Sequence, residues 1–514
     1  MRLSFLLFLS LAFVYGTSDL EARAKKKQRR YIVHKKKKTA TGLSVFGRSI
    51  SSSNEKNENV ELVDYSNDSK WREKINNLRA NPDVEYVEED IVLKRASNPN
   101  DSLFNQQWAL SSMDMTRIWS EFEQSSNLVV AVIDTGVLNH PDITSRLLPG
   151  ADFVRDLEMA NDGDGWDLDP TDPGDWVEFG DSCYFSTGSE SSSWHGTHVS
   201  GIIAATKDNS LGISGIFDEV SILPVRVLGK CGGLTSDIAN AIKWSVGELI
   251  PGMPINQNPA KVINLSLGAP GFCGKTMQEA IDLANIRGAV VVVAAGNDNQ
   301  DLDDVSYTPA NCHGVINVGA VTNSEDIASY SNYGSTIDVY APGGNDWNGI
   351  LSTHNSGSQS AGSMTYNTLN GTSMAAPHVA GLVAMMMSVN SGLYIGQYEN
   401  ILKETSSFLS DFSKGDGNLL SAYSAVASAS VASANSSFRY TPVEAAENGG
   451  LVLFKASDES GQGGGCASVN IGPGGGGPGS GLFQKLFALA LGLVLIGIRL
   501  ASNRRKRYSF GTAS

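Results

Sequence analysis

At 514 residues the chain is long for one domain, and 41% hydrophobic with 18% charged residues describes a globular protein rather than a disordered one. The net charge of −15 (39 Lys and Arg against 54 Asp and Glu) hides an asymmetry: residues 1–38 carry 11 basic against two acidic groups, whereas residues 99–465 carry 14 against 41. A body that acidic repels phosphate backbones, so no nucleic-acid partner is expected, while solubility, calcium binding or saline surroundings all suit it.

In chain order, Arg2, an apolar run from Leu3 to Tyr15 and the small residues Gly16-Thr17-Ser18 read as a secretory signal over 1–16, too short to span a bilayer comfortably. Residues 17–98 open with a basic cluster around Tyr31-Ile32-Val33, read as a solvated face. A strand at Val60–Val63, a helix over Lys70–Leu78 and the alternating strand Val84–Glu88 then make a small α+β unit ending near Arg95.

From 99 to 430 short apolar runs alternate with helical stretches. Val129–Ile133, Val220–Val227, Val262–Leu267, Val290–Ala294, Val315–Val318 and Ile337–Tyr340 are predicted as buried strands. His198–Ala205, Ser236–Leu249, Thr276–Arg287 and Ser373–Met387 are predicted as helices. Such alternation predicts an α/β domain with a mainly parallel sheet, whose active groups lie at the C-terminal ends of strands and the adjoining helix starts.

The Ser/Ala-rich stretch Ser421–Ser437 reads as a domain end leading into a Gly-rich linker over 431–481, with a small strand at Leu451–Phe454. A hydrophobic helix over 482–500 and a basic tail over 501–514 follow. Glycine-rich segment, short apolar helix and basic tail resemble the tripartite C-terminal sorting signals of bacterial surface proteins, and a plain stop-transfer anchor accounts for the same features. Cys466 is then either the carrier of a lipid anchor or a spare thiol. The other four cysteines (183, 231, 273 and 312) suit two disulfides in an exported chain, with three pairings open.

Three motifs fall where an α/β domain wants functional groups. They are Ala131-Val132-Ile133-Asp134-Thr135-Gly136 at a strand end, His195-Gly196-Thr197-His198-Val199-Ser200-Gly201 at a helix start, and Gly371-Thr372-Ser373-Met374-Ala375-Ala376-Pro377-His378 at another. Singly, each reads as a cap or a turn. Together they supply a serine, an imidazole to take its proton and a carboxylate to orient that imidazole. The order Asp, His, Ser and the surrounding residues resemble the subtilisin-like serine proteases over about residues 25–430.

That resemblance implies a subtilisin-like three-layer α/β domain over 99–430, preceded by a small α+β propeptide domain over 17–98 that folds against the enzyme and blocks its cleft. It implies a triad of Asp134, His198 and Ser373, with Asn297 of Ala294-Ala295-Gly296-Asn297 and the Ser373 backbone N–H as oxyanion donors. Ser266, Leu267 and Gly268 would pair with substrate backbone, opposite a wall made by Gly232 and Gly233. Self-cleavage would fall within Arg95–Asp101. Trp194 to His198, Arg226 to Gly233 and Pro309-Ala310-Asn311-Cys312 resemble a secreted, cysteine-containing bacterial branch, which implies the pairs Cys183–Cys231 and Cys273–Cys312.

The loop Asn161–Asp169 packs four carboxylates into eight residues, a self-repelling arrangement that a hard cation would relieve. Similar loops in that branch bind calcium, so Ca2+ is expected on Asp162, Asp164, Asp167 and Asp169, with the acids from Asp298 to Asp304 as a second candidate. His195 and His198 have HxxH spacing, but a triad histidine needs no zinc. The chain is thus expected to be a secreted or surface-displayed bacterial serine endopeptidase, acting on proteins as a monomer, with its propeptide as an internal inhibitor and a C-terminal membrane or lipid anchor. A kexin-like membrane-held protease cutting after basic residues and a catalytically silent surface binding protein are the alternatives.

Overall fold

The computed structural model describes residues 30–36, 60–65, 68, 70–90, 98–122, 126–184, 188–411 and 414–433. The signal segment, the strand expected at Leu451–Phe454, Cys466, the hydrophobic helix and the basic tail lie outside the described residues.

Within the first 90 residues, β1 (Arg30–Lys35) lies between β2 (Val60–Asp64) and β3 (Val84–Glu89), antiparallel to both, with helix α1 (Trp71–Ala80) between β2 and β3 in the chain. The segment read as a solvated basic face is therefore the central strand. Tyr31 and Val33 are buried at alternate positions, while the basic groups at its ends stay in water.

The larger body is a nine-stranded sheet. Its strands are β4 (Val129–Asp134), β5 (Ala151–Asp152), β6 (Ser221–Arg226), β7 (Val262–Leu265), β8 (Val290–Ala294), β9 (Val315–Val321), β10 (Val339–Pro342), β13 (Ser407–Asp411) and β14 (Gly415–Leu419). The order is β13-β14-β10-β9-β8-β7-β4-β6-β5, parallel throughout except for the β13–β14 hairpin at one edge. A second hairpin, β11 (Ile350–Asn355) with β12 (Met364–Leu369), stands apart from this sheet.

Helices cover both faces, which is why the strands read as unbroken apolar runs. Val130, Val132, Val290 and Val292 face one core, built with helices α2 (His195–Ala204), α5 (Thr372–Val389) and α7 (Ala422–Val431). Ala131, Ile133, Val291 and Val293 face the other, packed on α3 (Thr235–Ser245) and α4 (Lys275–Ile286). Between α5 and β13 runs α6 (Ile395–Thr405). The result is the expected three-layer arrangement.

Two expectations change. Helix α2 begins at His195, three residues earlier than the apolar pattern suggested. The Ser/Ala-rich stretch, expected as the domain's end with no helix predicted in it, forms a core helix: Ala422, Ala425, Val426 and Ala429 lie on one helical face and are buried against α5. Among the described residues, α5 alone is long and apolar enough to cross a membrane, and 83% of that window is buried inside the protein, so it serves as a core helix.

The disulfides are Cys183–Cys231 and Cys273–Cys312, closing separations of 48 and 39 residues. Replacing Cys273 and Cys312 by alanine should lower unfolding stability by roughly 2–4 kcal/mol. The check is a fall in urea midpoint, with a slope that rises as the unfolded chain expands; an unchanged midpoint would show that the bridge contributes nothing.

Candidate active site

Strand β4 ends at Asp134, which has neighbouring strands on both sides and no exposed surface. Its Oδ1 accepts hydrogen bonds from the Thr135 backbone N–H at 2.8 Å and pairs with His195 Nδ1 at 2.7 Å. The chain enters α2 through Trp194, a fully buried residue in the left-handed region (φ 51°) whose indole N–H donates to the Gly357 carbonyl at 2.7 Å. That turn puts His195 at the first helical position, facing the strand end. Gly196 follows because a Cβ there would stand 2.1 Å from the Gly136 carbonyl oxygen. The Gly196 N–H donates to Thr135 Oγ1 at 3.0 Å, and that hydroxyl donates to buried Asp172 at 2.7 Å.

His198, expected beside Asp134, is elsewhere. It is wholly buried one turn into the helix, with Nε2 3.0 Å from the Ile350 carbonyl and 3.1 Å from that of Asn367. It ties α2 to the β11–β12 hairpin. The motif holds two histidines three residues apart, and the resemblance was carried onto the second of them, whereas the first is the one that meets Asp134. Burial, reinforced by His195 nearby, pushes the His198 pKa down to about 3, so it stays neutral. His195 behaves oppositely. Burial opposes its charged form, but the charge and hydrogen bond of Asp134, helped by Asp175 and Asp172, prevail and raise its pKa above the ordinary 6.5.

Ser373 is the second residue of α5, after Gly371. Its hydroxyl donates to the Ser266 carbonyl at 3.1 Å, and the Ser266 hydroxyl returns a bond to the Ser373 carbonyl at 2.8 Å. Pro377 makes that return bond possible: it has no N–H to offer the carbonyl four residues back, so Ser373 C=O is open to Ser266. Asn297, just beyond β8, accepts at Oδ1 from the Thr372 N–H and hydroxyl, both at 2.9 Å. Its amide is thereby oriented with Nδ2 free among the described residues, a donor beside the N-terminus of α5. Thr372 and Thr135 bind the site together and carried no sequence signal beyond their place within the motifs.

His195, Ser266, Leu267, Gly268, Gly232 and Gly233 all line one open cleft of about 530 Å3. Cys231 lines it too, so the first disulfide holds one wall.

The acidic loop does not assemble as expected. Arg226, wholly buried and paired with Asp134 in register, reaches Asp162 at 2.5 Å and also binds Asp152 and the Ala160 carbonyl. Asp162, Asp167 and Asp169 cap the backbone N–H groups of Asp164, Asp169 and Thr171. The self-repulsion argument overlooked a cation 64 residues away in sequence. Asp301 and Asp303 are likewise bonded to Asp303 N–H and Ser335. Among the described residues no group of three or more His, Cys, Asp or Glu side chains is arranged to hold a metal ion.

Histidine NMR titration should find His195 with a midpoint above 6.5 and His198 near 3. In Asp134→Asn, burial is left to dominate and the His195 midpoint should fall below 6.5. A midpoint unmoved by that substitution would refute the pairing.

Comparison with known proteins bears on the whole arrangement. The profile of the subtilase family matches residues 125–439. The "extracellular protease" of Xanthomonas campestris is 46% identical over 333 residues, 64% of this chain and 56% of that protein. The "extracellular basic protease" of Dichelobacter nodosus is 38% identical over 391 residues, 74% of this chain. The chain thus spans 56% and 64% of the lengths of these two relatives. A solved protease structure from Pseudoalteromonas arctica superposes with a TM-score of 0.62 at 46% identity, covering 65% of this chain and all of that one. With its subtilisin-like sheet order, strand-end aspartate and helix-start serine, the chain belongs to the subtilase family.

Proposed function

We propose that this chain is an exported serine endopeptidase whose triad is Asp134, His195 and Ser373. The observation that carries the reading is the 2.7 Å pairing of a buried carboxylate with an imidazole that opens on the cleft. In the reaction Ser373 Oγ leaves its Ser266 contact and attacks the scissile carbonyl as His195 Nε2 takes its proton. Asp134 holds the Nδ1 proton and stabilises the imidazolium. Asn297 Nδ2 and the Ser373 N–H receive the oxyanion, His195 passes its proton to the leaving amine, and water then releases the acyl group. Substrate lies extended along Ser266-Leu267-Gly268, facing Gly232-Gly233.

Residues 17–98 act as the propeptide. The cut falls between Arg95 and Pro99, because Asn100 and Asp101 belong to the body: Asn100 bonds Asp208 and Ser210, and Asp101 accepts from Asp208, Asn209 and Ser214. Two disulfides and relatives described as extracellular support export. An anchor at the C-terminus and action as a monomer remain part of the proposal. Subtilases commonly bind calcium, and no residues are assigned to it here.

A second reading, cleavage after basic residues, draws on Asp175 and Glu190 in the cleft wall. Asp175 already accepts from the Ser193 N–H and hydroxyl, so among the described residues Glu190 is the acid in that wall whose side chain makes no hydrogen bond.

Intact mass and N-terminal sequence of wild type and Ser373→Ala test the assignment. Wild type should begin within residues 96–99, and Ser373→Ala should keep its propeptide; equal maturation of both would overturn self-processing. On an added peptide, Asn297→Ala should lose about 10²–10³ in kcat. Because His195 must be neutral to accept a proton, kcat/KM should rise with pH through a midpoint above 6.5.

A further inference from the structure

An acyl group held between Ser373 Oγ and Asn297 lies between two backbone segments, Ser266-Leu267-Gly268 and Ala295-Gly296-Asn297. On the protease reading above, its own chain would run along the first segment and its carbonyl would face the second, which would direct its side chain into the gap between them. That gap already holds the ring of Tyr307. A Cβ placed on Gly268 would stand 2.6 Å from Tyr307 Cε1, and one placed on Gly296 would stand 2.6 Å from both Cε1 and Cζ. One aromatic ring therefore spans the distance between the walls, and each wall is glycine where the ring touches it.

The ring is held from several sides. Tyr307 is 9% exposed, and Tyr307 and Thr308 pair antiparallel with Pro270 and Ala269, the continuation of the first wall. Burial, and the Asp298 carboxylate next to Asn297, push its phenol up to about 12, so it stays neutral. Buried Asn332 fixes the second wall, donating to the Ala295 carbonyl at 2.8 Å and accepting from the Asp298 N–H at 3.1 Å.

We infer that Tyr307 is the specificity-determining residue of the cleft. Its ring takes the depth of the primary pocket, so the residue before the cleaved bond is small and uncharged: glycine, alanine or serine. This rests on the protease reading above. Filling a pocket with one bulky ring is a steric device, and steric exclusion of larger side chains shifts selectivity by about 10–200-fold.

The test compares p-nitroanilide peptides that differ only in their last residue (Ala, Leu, Phe or Lys) on wild type, Tyr307→Ala and Tyr307→Phe. Wild type should favour Ala over Phe by about 10-fold or more, Tyr307→Ala should invert that ratio, and Tyr307→Phe, which keeps the ring, should not. Labelling of Ser373 by a fluorophosphonate counts competent sites in each sample. A labelled wild type that prefers Phe or Lys overturns the inference, as does a labelled Tyr307→Ala with the wild-type ratio. If Tyr307→Ala does not fold, Tyr307→Val and the wild-type ratio decide. Wild type that neither labels nor cleaves any peptide overturns the protease reading, and this inference falls with it.

Discussion

A carboxylate with no access to water has to be answered by the protein around it, and Asp134 is such a group. Most of what surrounds it follows from that need. The Thr135 N–H and the His195 ring meet one oxygen; Thr135 in turn grips the start of α2 and the buried acid Asp172. Close approach of helix to strand requires Gly196, and the approach angle requires Trp194 in a backbone conformation that few non-glycine residues adopt. The couple is thus held by the sheet and a helix start, elements far stiffer than a loop. The imidazole is poised by a charge it cannot escape, while the neighbouring imidazole, lacking one, stays neutral.

Much of this was legible in sequence. Strands buried on both faces leave continuous apolar runs, so β4, β6, β7 and β8 were placed within a few residues; the motifs after β4 and β8 held Asp134 and Asn297, and Ser373 stood in the motif at a helix start. What failed did so for local physical reasons. The two histidines of one motif differ by less than a helical turn, and only the unusual cap at Trp194 decides which of them faces the strand. The N-cap is Trp194, whose side chain makes no capping bond, and the hydroxyl that meets the His195 N–H comes from Ser193, one residue earlier than the usual cap position, so composition does not mark the helix start.

The contacts of the acidic loop were hidden for another reason. Its charges were weighed against one another and not against Arg226, which the sheet delivers from a distant strand. The helix after Ser421 was hidden because alanine and serine resemble linker composition, although small residues are what lets α7 lie close on α5. The two glycine walls were visible in the sequence. Their meaning was not, because Tyr307 meets them only through the pairing of a two-residue strand.

The Cys183–Cys231 bond has a consequence for where the cleft can exist. Cys231 adjoins the Gly232-Gly233 wall, so the shape of that wall depends on a bond that cytosolic thiols reduce and oxidising compartments preserve. A chain whose thiols are still reduced has a wall that is not yet stapled. The cleft acquires its full definition only once that bond has closed, so the redox state of the surroundings limits where the cleft is complete.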